Sequence, residues 1–266
     1  MLEYAFMRRA LIIGFFLGLA IPLMGVVVIN RRTSTIGDAL AHTSLAGIGL
    51  GLIAGLSPLF SAVLMTLIGS FAIELLRKKF PQNGDLATAM VMSTGIGLAS
   101  IFSDFAPSGS NFESFLFGSI ITGSIEEVYA IVGLSIVIFL STILFFYPIL
   151  YISLDRNGAR ISGLPVGIIE NFFTALLSLT VALSSKTIGV LMVSSLLILP
   201  VASAMLFTKS YRSCVILSMI IGCILVMSGL FASFYLSIKP GGAIVISGVL
   251  LFVILLLIQK FALKRK

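Results

Sequence analysis

The sequence is short of charge, of histidine and of cysteine. Only 10% of its 266 residues are Asp, Glu, Lys or Arg, against about 25% in soluble domains. Hydrophobic residues make up 59% and the mean hydropathy is +1.19. A water-soluble fold cannot hide that much apolar surface, so the chain reads as a polytopic membrane protein. The two cysteines, Cys214 and Cys223, fall on one predicted helix. Helical rise separates them by roughly 13 Å, beyond disulfide reach, and they read as packing residues. There is no Walker A sequence, no nucleotide site and no sizeable soluble domain, so any ATP used must be bound by a partner. The first apolar run is too long for a cleavable leader and lacks a small-residue cleavage site. The formal charge of +7 then reflects cationic cytoplasmic loops rather than an affinity for nucleic acid.

What remains is apolar sequence, which divides into about nine spans of roughly the length a bilayer requires. They cover 7–29, 37–56, 58–76, 86–103, 124–150, 166–184, 187–207, 213–236 and 241–262. An eight-span division is the alternative. The stretch 111–121 is too short to cross and reads as re-entrant or interfacial. Connections are short, so residues 1–266 form a single transmembrane domain, an all-α bundle of about eight to nine helices. Alternate connections carry Arg31 and Arg32; Arg77, Lys78 and Lys79; Arg156 and Arg160; Lys209 and Arg212; and the tail Lys264, Arg265 and Lys266. The excess of cations marks that side as cytoplasmic and puts the N-terminus outside, an arrangement against which Arg8 and Arg9 stand. The opposite connections, FSDFAPSGSNFES, SSK and SIKPGG, are nearly free of cations.

The stretch GDALAHTSLAGIGLG at 37–51 contains the only histidine. Asp38 and His42 are four apart, hence stacked on one helical face. A carboxylate oxygen with an imidazole nitrogen is a ligand pair for Mn²⁺, Fe²⁺ or Zn²⁺. Ionisable residues inside a span are costly and point to function. Two ligands are too few for a tight site, so a second chain would complete it, and weak binding suits an ion that must leave again. The competing reading is structural: Thr35-Ile-Gly-Asp38 fits a capping box, with His42 a hydrogen-bonded core residue. Beside the pair, Gly47, Gly51 and Gly55 form a small-residue stripe that lets another helix approach closely, within the bundle or across a dimer. The segment LDRNGARISGLPVG at 154–167 breaks the helical pattern, yet Asp155–Ile161 fits a short cytoplasmic helix. The rival is an ordinary solvated loop.

These segments together resemble the permease subunits of metal-ion ABC importers, the ABC-3 family that imports manganese, zinc or iron. The resemblance is carried by MRRALIIGFFLGLAIPLMGVVVINRRTSTIGDALAHTSLAGIGLGL, FESFLFGSI at 112–120, LDRNGARISGLPV, GVLMVSSLLILPVASAML at 189–206 and PGGAIVISG at 240–248. It implies a type II importer-like helical fold in the bacterial plasma (inner) membrane. The implied partners are a cytoplasmic ABC ATPase subunit, an extracytoplasmic metal-binding protein and a second permease chain, either a copy or a sister. It also implies that Asp38 and His42 handle the metal, and that Asp155, Arg156, Gly158, Ala159 and Arg160 meet the ATPase. Where relatives often have proline four residues after the histidine, this chain has Ala46.

The function so implied is permeation by alternating access in an ATP-driven divalent-metal importer, leaning to manganese because no His-rich or Cys-rich tract favours zinc. No cofactor is expected on this chain beyond the transported ion, ATP is used by the partner, and the chain is not an enzyme. The alternative is a proton-coupled secondary metal carrier, since histidine titrates in the useful range. On the outer side, Asp104 and Glu113 are candidates to attract cations or dock the binding protein. Glu126 and Glu127 fit a helix N-terminus. Glu74, by helical spacing, fits a salt bridge to Arg77 or Lys78.

Overall fold

A computed structural model describes residues 4–31, 33–80, 83–107, 115–116, 118 and 124–263, and every regular element among them is a helix. In chain order these are α1 (Ala5–Asn30), α2 (Ile36–Ala54), α3 (Pro58–Lys79), α4 (Gly84–Phe105), α5 (Ile125–Leu144), α6 (Phe146–Leu154), α7 (Arg156–Ile161), α8 (Val166–Ile188), α9 (Val190–Met205), α10 (Tyr211–Leu236) and α11 (Pro240–Leu263). Eight of them, α1–α5, α8, α10 and α11, are long and apolar enough to cross a membrane. The seventh of the nine expected spans, 187–207, is instead the short helix α9. Its 16 residues rise about 24 Å, less than a hydrocarbon core of about 30 Å. The break falls at Gly189, whose φ of 98° L side chains rarely adopt.

Close approaches give the directions of the helices. Gly18 of α1 and Gly222 of α10 sit where the two backbones cross; a Cβ on Gly18 would lie 3.0 Å from Cys223 Cα. With no hydrophobic force between helices in lipid, such small-residue crossings do much of the holding. Gly229 of α10 meets Ile244 of α11, and Gln259 near the end of α11 donates to the Leu206 carbonyl at 2.7 Å. Successive contacts thus run α9 parallel to α11 and antiparallel to α8. The short helix still returns the chain, and the described basic connections gather at one end of the bundle. Cys214 and Cys223 are both free thiols.

α1 and α2 form the centre: 72% of the most apolar window of each is buried, against 17% for α11. The connection between them also turns inward. The backbone and hydroxyl of Thr33 both donate to the Val28 carbonyl at 3.1 Å, and the Ile36 N–H donates to the Thr33 carbonyl at 2.9 Å. Thr33 is itself buried.

Candidate functional site

From Ile36 to Gly49 every residue of α2 is buried except two, Asp38 and His42. Both are half-buried. Neither makes a hydrogen bond or a salt bridge among the described residues. The helix is enclosed by α3, α4, α8 and α9, so its single polar opening is the i, i+4 pair. The capping alternative is not formed, because Thr35 at the N-cap has an αR backbone and makes no side-chain cap hydrogen bond. Nor is His42 hydrogen-bonded to the core.

The pair also lies deeper than its place near the start of the span suggests. The hydroxyls of Ser44 and Ser185 are 2.6 Å apart, and Ser185 stands nearly at the far end of α8. Helical rise puts that level about 28 Å above Val166, and Asp38 about 9 Å below it. Asp38 is therefore close to the middle of the bundle. The turn 31–35 carries the start of α2 inward, and Gly37 sits against Ser194 and Leu197 of α9.

The glycine stripe divides into two roles. Gly47 and Gly51 pack on α3 of the same chain; a Cβ on Gly47 would fall 2.7 Å from Ala62 Cα, and one on Gly51 3.1 Å from Pro58 Cα. Among the described residues of this chain, nothing lies within 4 Å of where a Cβ on Gly55 would be. Gly55 is the C-cap of α2 with φ 67°, so its placement in a helix-packing stripe is corrected: it ends the helix in the left-handed region. Ala46 is fully buried and α2 runs unbroken past it.

At the basic end the short helix expected over 155–161 is α7. Asp155 caps it, its Oδ1 accepting from the N–H groups of Asn157 at 3.0 Å and Gly158 at 2.9 Å. Arg156, Arg160 and Ile161 are exposed, Ile161 to 87%. Ala159 is fully buried, which corrects its reading as a contact for the ATPase: it is the residue that seats α7 on the bundle.

Sequence reasoning missed Glu170. It is a buried carboxylate on α8, held by two guanidinium groups from distant parts of the chain. Its Oε2 lies 2.7 Å from Arg156 Nη2 and its Oε1 3.6 Å from Arg31 Nη2. Burial pushes the Arg31 guanidinium below its ordinary range, and Glu170 pulls the other way. The signal was available: a lone acid in the apolar run GIIENFFTALL is the same kind of anomaly as Asp38. Beside Glu170 opens a cavity of about 520 Å³ lined by Arg31, Glu74, Arg77, Lys78 and Arg156 among others. Four cations against two carboxylates make it a poor route for a divalent cation. Glu74 makes no salt bridge among the described residues and faces this cavity instead of pairing with Arg77 or Lys78.

At the opposite end Glu127 completes a capping box with Ser124 and also pairs with Lys186. Glu126 and Asp104 are exposed, and Glu113 lies outside the described residues. Among the described residues no three His, Cys, Asp or Glu side chains converge to hold a metal. Among the described residues, Asp38 and His42 therefore have no third side chain of these kinds beside them.

Comparison with known proteins bears on the family and the fold. The family model described as the ABC 3 transport family matches residues 3–259. A "probable metal transport system membrane protein" of Treponema pallidum is 32% identical over 260 residues, covering 97% of this chain and 98% of that protein. The manganese import system permease protein ScaB of Streptococcus parasanguinis is 28% identical, covering 95% of this chain and 90% of ScaB. Among solved structures, PsaBC from Streptococcus pneumoniae in complex with Fab superposes with a TM-score of 0.85 at 27% identity, covering 96% of this chain and 92% of that one.

Proposed function

The chain belongs to the ABC 3 transport family, and from that premise we propose that it is the membrane permease of an ATP-driven importer of divalent metal ions, with manganese the principal cargo. Membership makes it a transport subunit of the bacterial plasma membrane rather than a catalytic one. The finer reading rests on one observation: along Ile36–Gly49 of the central helix, Asp38 and His42 alone are not buried.

The ion is substrate, and these residues hold it in transit. A second permease chain related by a two-fold axis supplies the same pair again, giving two carboxylates and two imidazoles. Oxygen and nitrogen donors without thiolates suit Mn²⁺, whose weak intrinsic affinity also favours release. Manganese is further supported by the name of the ScaB relative. An extracytoplasmic binding protein delivers the ion to a cleft between the two permeases. ATP bound and hydrolysed by a cytoplasmic partner then turns the cleft inward, acting through 154–165. The exposed Leu154, Arg160 and Ile161 offer that partner an apolar knob beside a cation. Only interactions that differ between the two states can drive the exchange, so the geometry of the pair must change between them.

The test is whole-cell metal content by mass spectrometry, in cells that carry the full importer with wild-type permease or His42→Ala at matched membrane levels. A selective fall in manganese is the expected result. Unchanged manganese, iron and zinc would return the pair to a packing role.

A further inference from the structure

The transport reading leaves unexplained how a push on the cytoplasmic face reaches a metal pair near the middle of the bundle. Glu170 lies between the two. We propose that it is a positioning residue, passing movement of α7 to the turn that carries α2 by shifting its carboxylate between Arg156 and Arg31. This inference rests on the ATP-driven permease reading.

α7 is built to move as one piece. Its Asp155 cap ties the first turn, the Leu164 N–H closes on the Ala159 carbonyl at 3.1 Å, and Ser162 Oγ bonds both the Gly158 carbonyl and Tyr151 Oη. Among the described residues its one ion pair is Arg156–Glu170. The Arg156 side chain is 56% exposed while that of Glu170 is 7% exposed, so the contact joins a surface a partner can reach to a site it cannot.

The two halves of the contact are unequal. Arg156 holds Glu170 at 2.7 Å, whereas Arg31 stands at 3.6 Å and also donates to Thr174 Oγ1 at 3.4 Å. Thr174 in turn donates to the Glu170 carbonyl at 2.8 Å. A displacement of α7 that draws Arg156 away leaves a buried carboxylate, which is costly unless another cation takes it. Arg31 is the cation within reach. It is also the C-cap of α1, its N–H bonding Val27 and Ile29 carbonyls, and the chain from it runs directly through Thr33 into α2. Moving Arg31 toward Glu170 therefore moves the turn on which Asp38 is mounted. Two discrete carboxylate positions, each favoured by one arrangement of α7, are what coupling across a bundle requires.

The experiment uses the permease assembled with its ATPase subunits in proteoliposomes, given the binding protein loaded with Mn²⁺. Manganese uptake and phosphate release are measured on the same sample. Wild type tests the underlying reading alone: uptake independent of ATP would remove that reading whatever Glu170 does. In Glu170→Gln the ATPase subunits should stay bound and hydrolysis should persist, while metal moved per ATP falls about tenfold, within the usual range of coupling energies. In Arg156→Gln, whose side chain is also expected to meet the ATPase, the same fall is read per ATP hydrolysed by the subunits that remain bound. The double variant should be no worse than either single one, because both break the same contact. If Glu170→Gln does not assemble, Arg156→Gln decides alone, since it leaves the buried carboxylate with Arg31. An unchanged ratio, a parallel loss of uptake and hydrolysis, or effects that multiply in the double variant would each overturn the proposal.

Discussion

Three glycines spaced four apart show how one residue type serves two ends. Gly47 and Gly51 remove side chains where α3 needs the room, while Gly55 supplies a backbone conformation. The spacing alone cannot separate them, because an i, i+4 repeat reports a shared face and not what lies against it. Gly47→Ala should therefore destabilise the protein by about 1–3 kcal/mol through overpacking against rigid backbone. Gly55→Ala should cost about 1 kcal/mol, with no clash, through its left-handed φ. Thermal unfolding in detergent checks both, and Gly55→Asn separates the mechanisms, since asparagine tolerates that conformation and should lose less. Asp38 and Glu170 carry a related lesson. Both are lone acids in apolar sequence. Asp38 stood out because a histidine lies four residues on, whereas the partners of Glu170 are Arg31 and Arg156, which only the fold brings to it.

Among the helices, apolar length was legible and the course of the chain was less so. Residues 187–207 have the hydropathy of a span, but hydropathy is blind to a change of direction, and Gly189 makes one. Gly189→Ala should cost of order 1–3 kcal/mol, because the residue must hold a φ that side chains avoid; reduced melting temperature with α8 and α9 otherwise intact is the expected result. The short cytoplasmic helix was foreseen over its observed range, yet its orientation was not. Ala159 faces inward and Ile161 outward, since six residues of helix leave the seated face to whichever small side chain fits. Ile161→Asp puts a charge where the ATPase is expected to close and leaves the seat alone. It should lower co-purification of that subunit several-fold with no change in permease stability, whereas Ala159→Leu should damage folding first.

For the whole molecule the decisive quantity is the number of ligands. One chain brings an oxygen and a nitrogen donor to the middle of the bundle, and among the described residues no cluster of three metal-binding side chains exists. A divalent ion held by only two protein groups would be too loosely bound to be selected, so the proposed function requires another copy or a sister chain with the Asp38–His42 pair of each facing that of the other. An isologous two-fold contact doubles the donors without any new residue, and it also converts the one polar opening on α2 into a closed path. The periphery fits this division, with α11 left largely to lipid. The prediction is geometric. In a Cys214→Ala, Cys223→Ala background, His42→Cys should form an interchain disulfide under mild oxidation in membranes, because equivalent positions near a two-fold axis approach each other. A cysteine placed by substitution at Ile254, on the exposed face of α11, should not. Manganese added before the oxidant should slow the cross-link when Asp38 is present and have less effect with Asp38→Ala, since the ion would then lose the last of its native ligands. Efficient cross-linking at Ile254 with none at His42 would place the two-fold axis elsewhere, and with it the path of the ion.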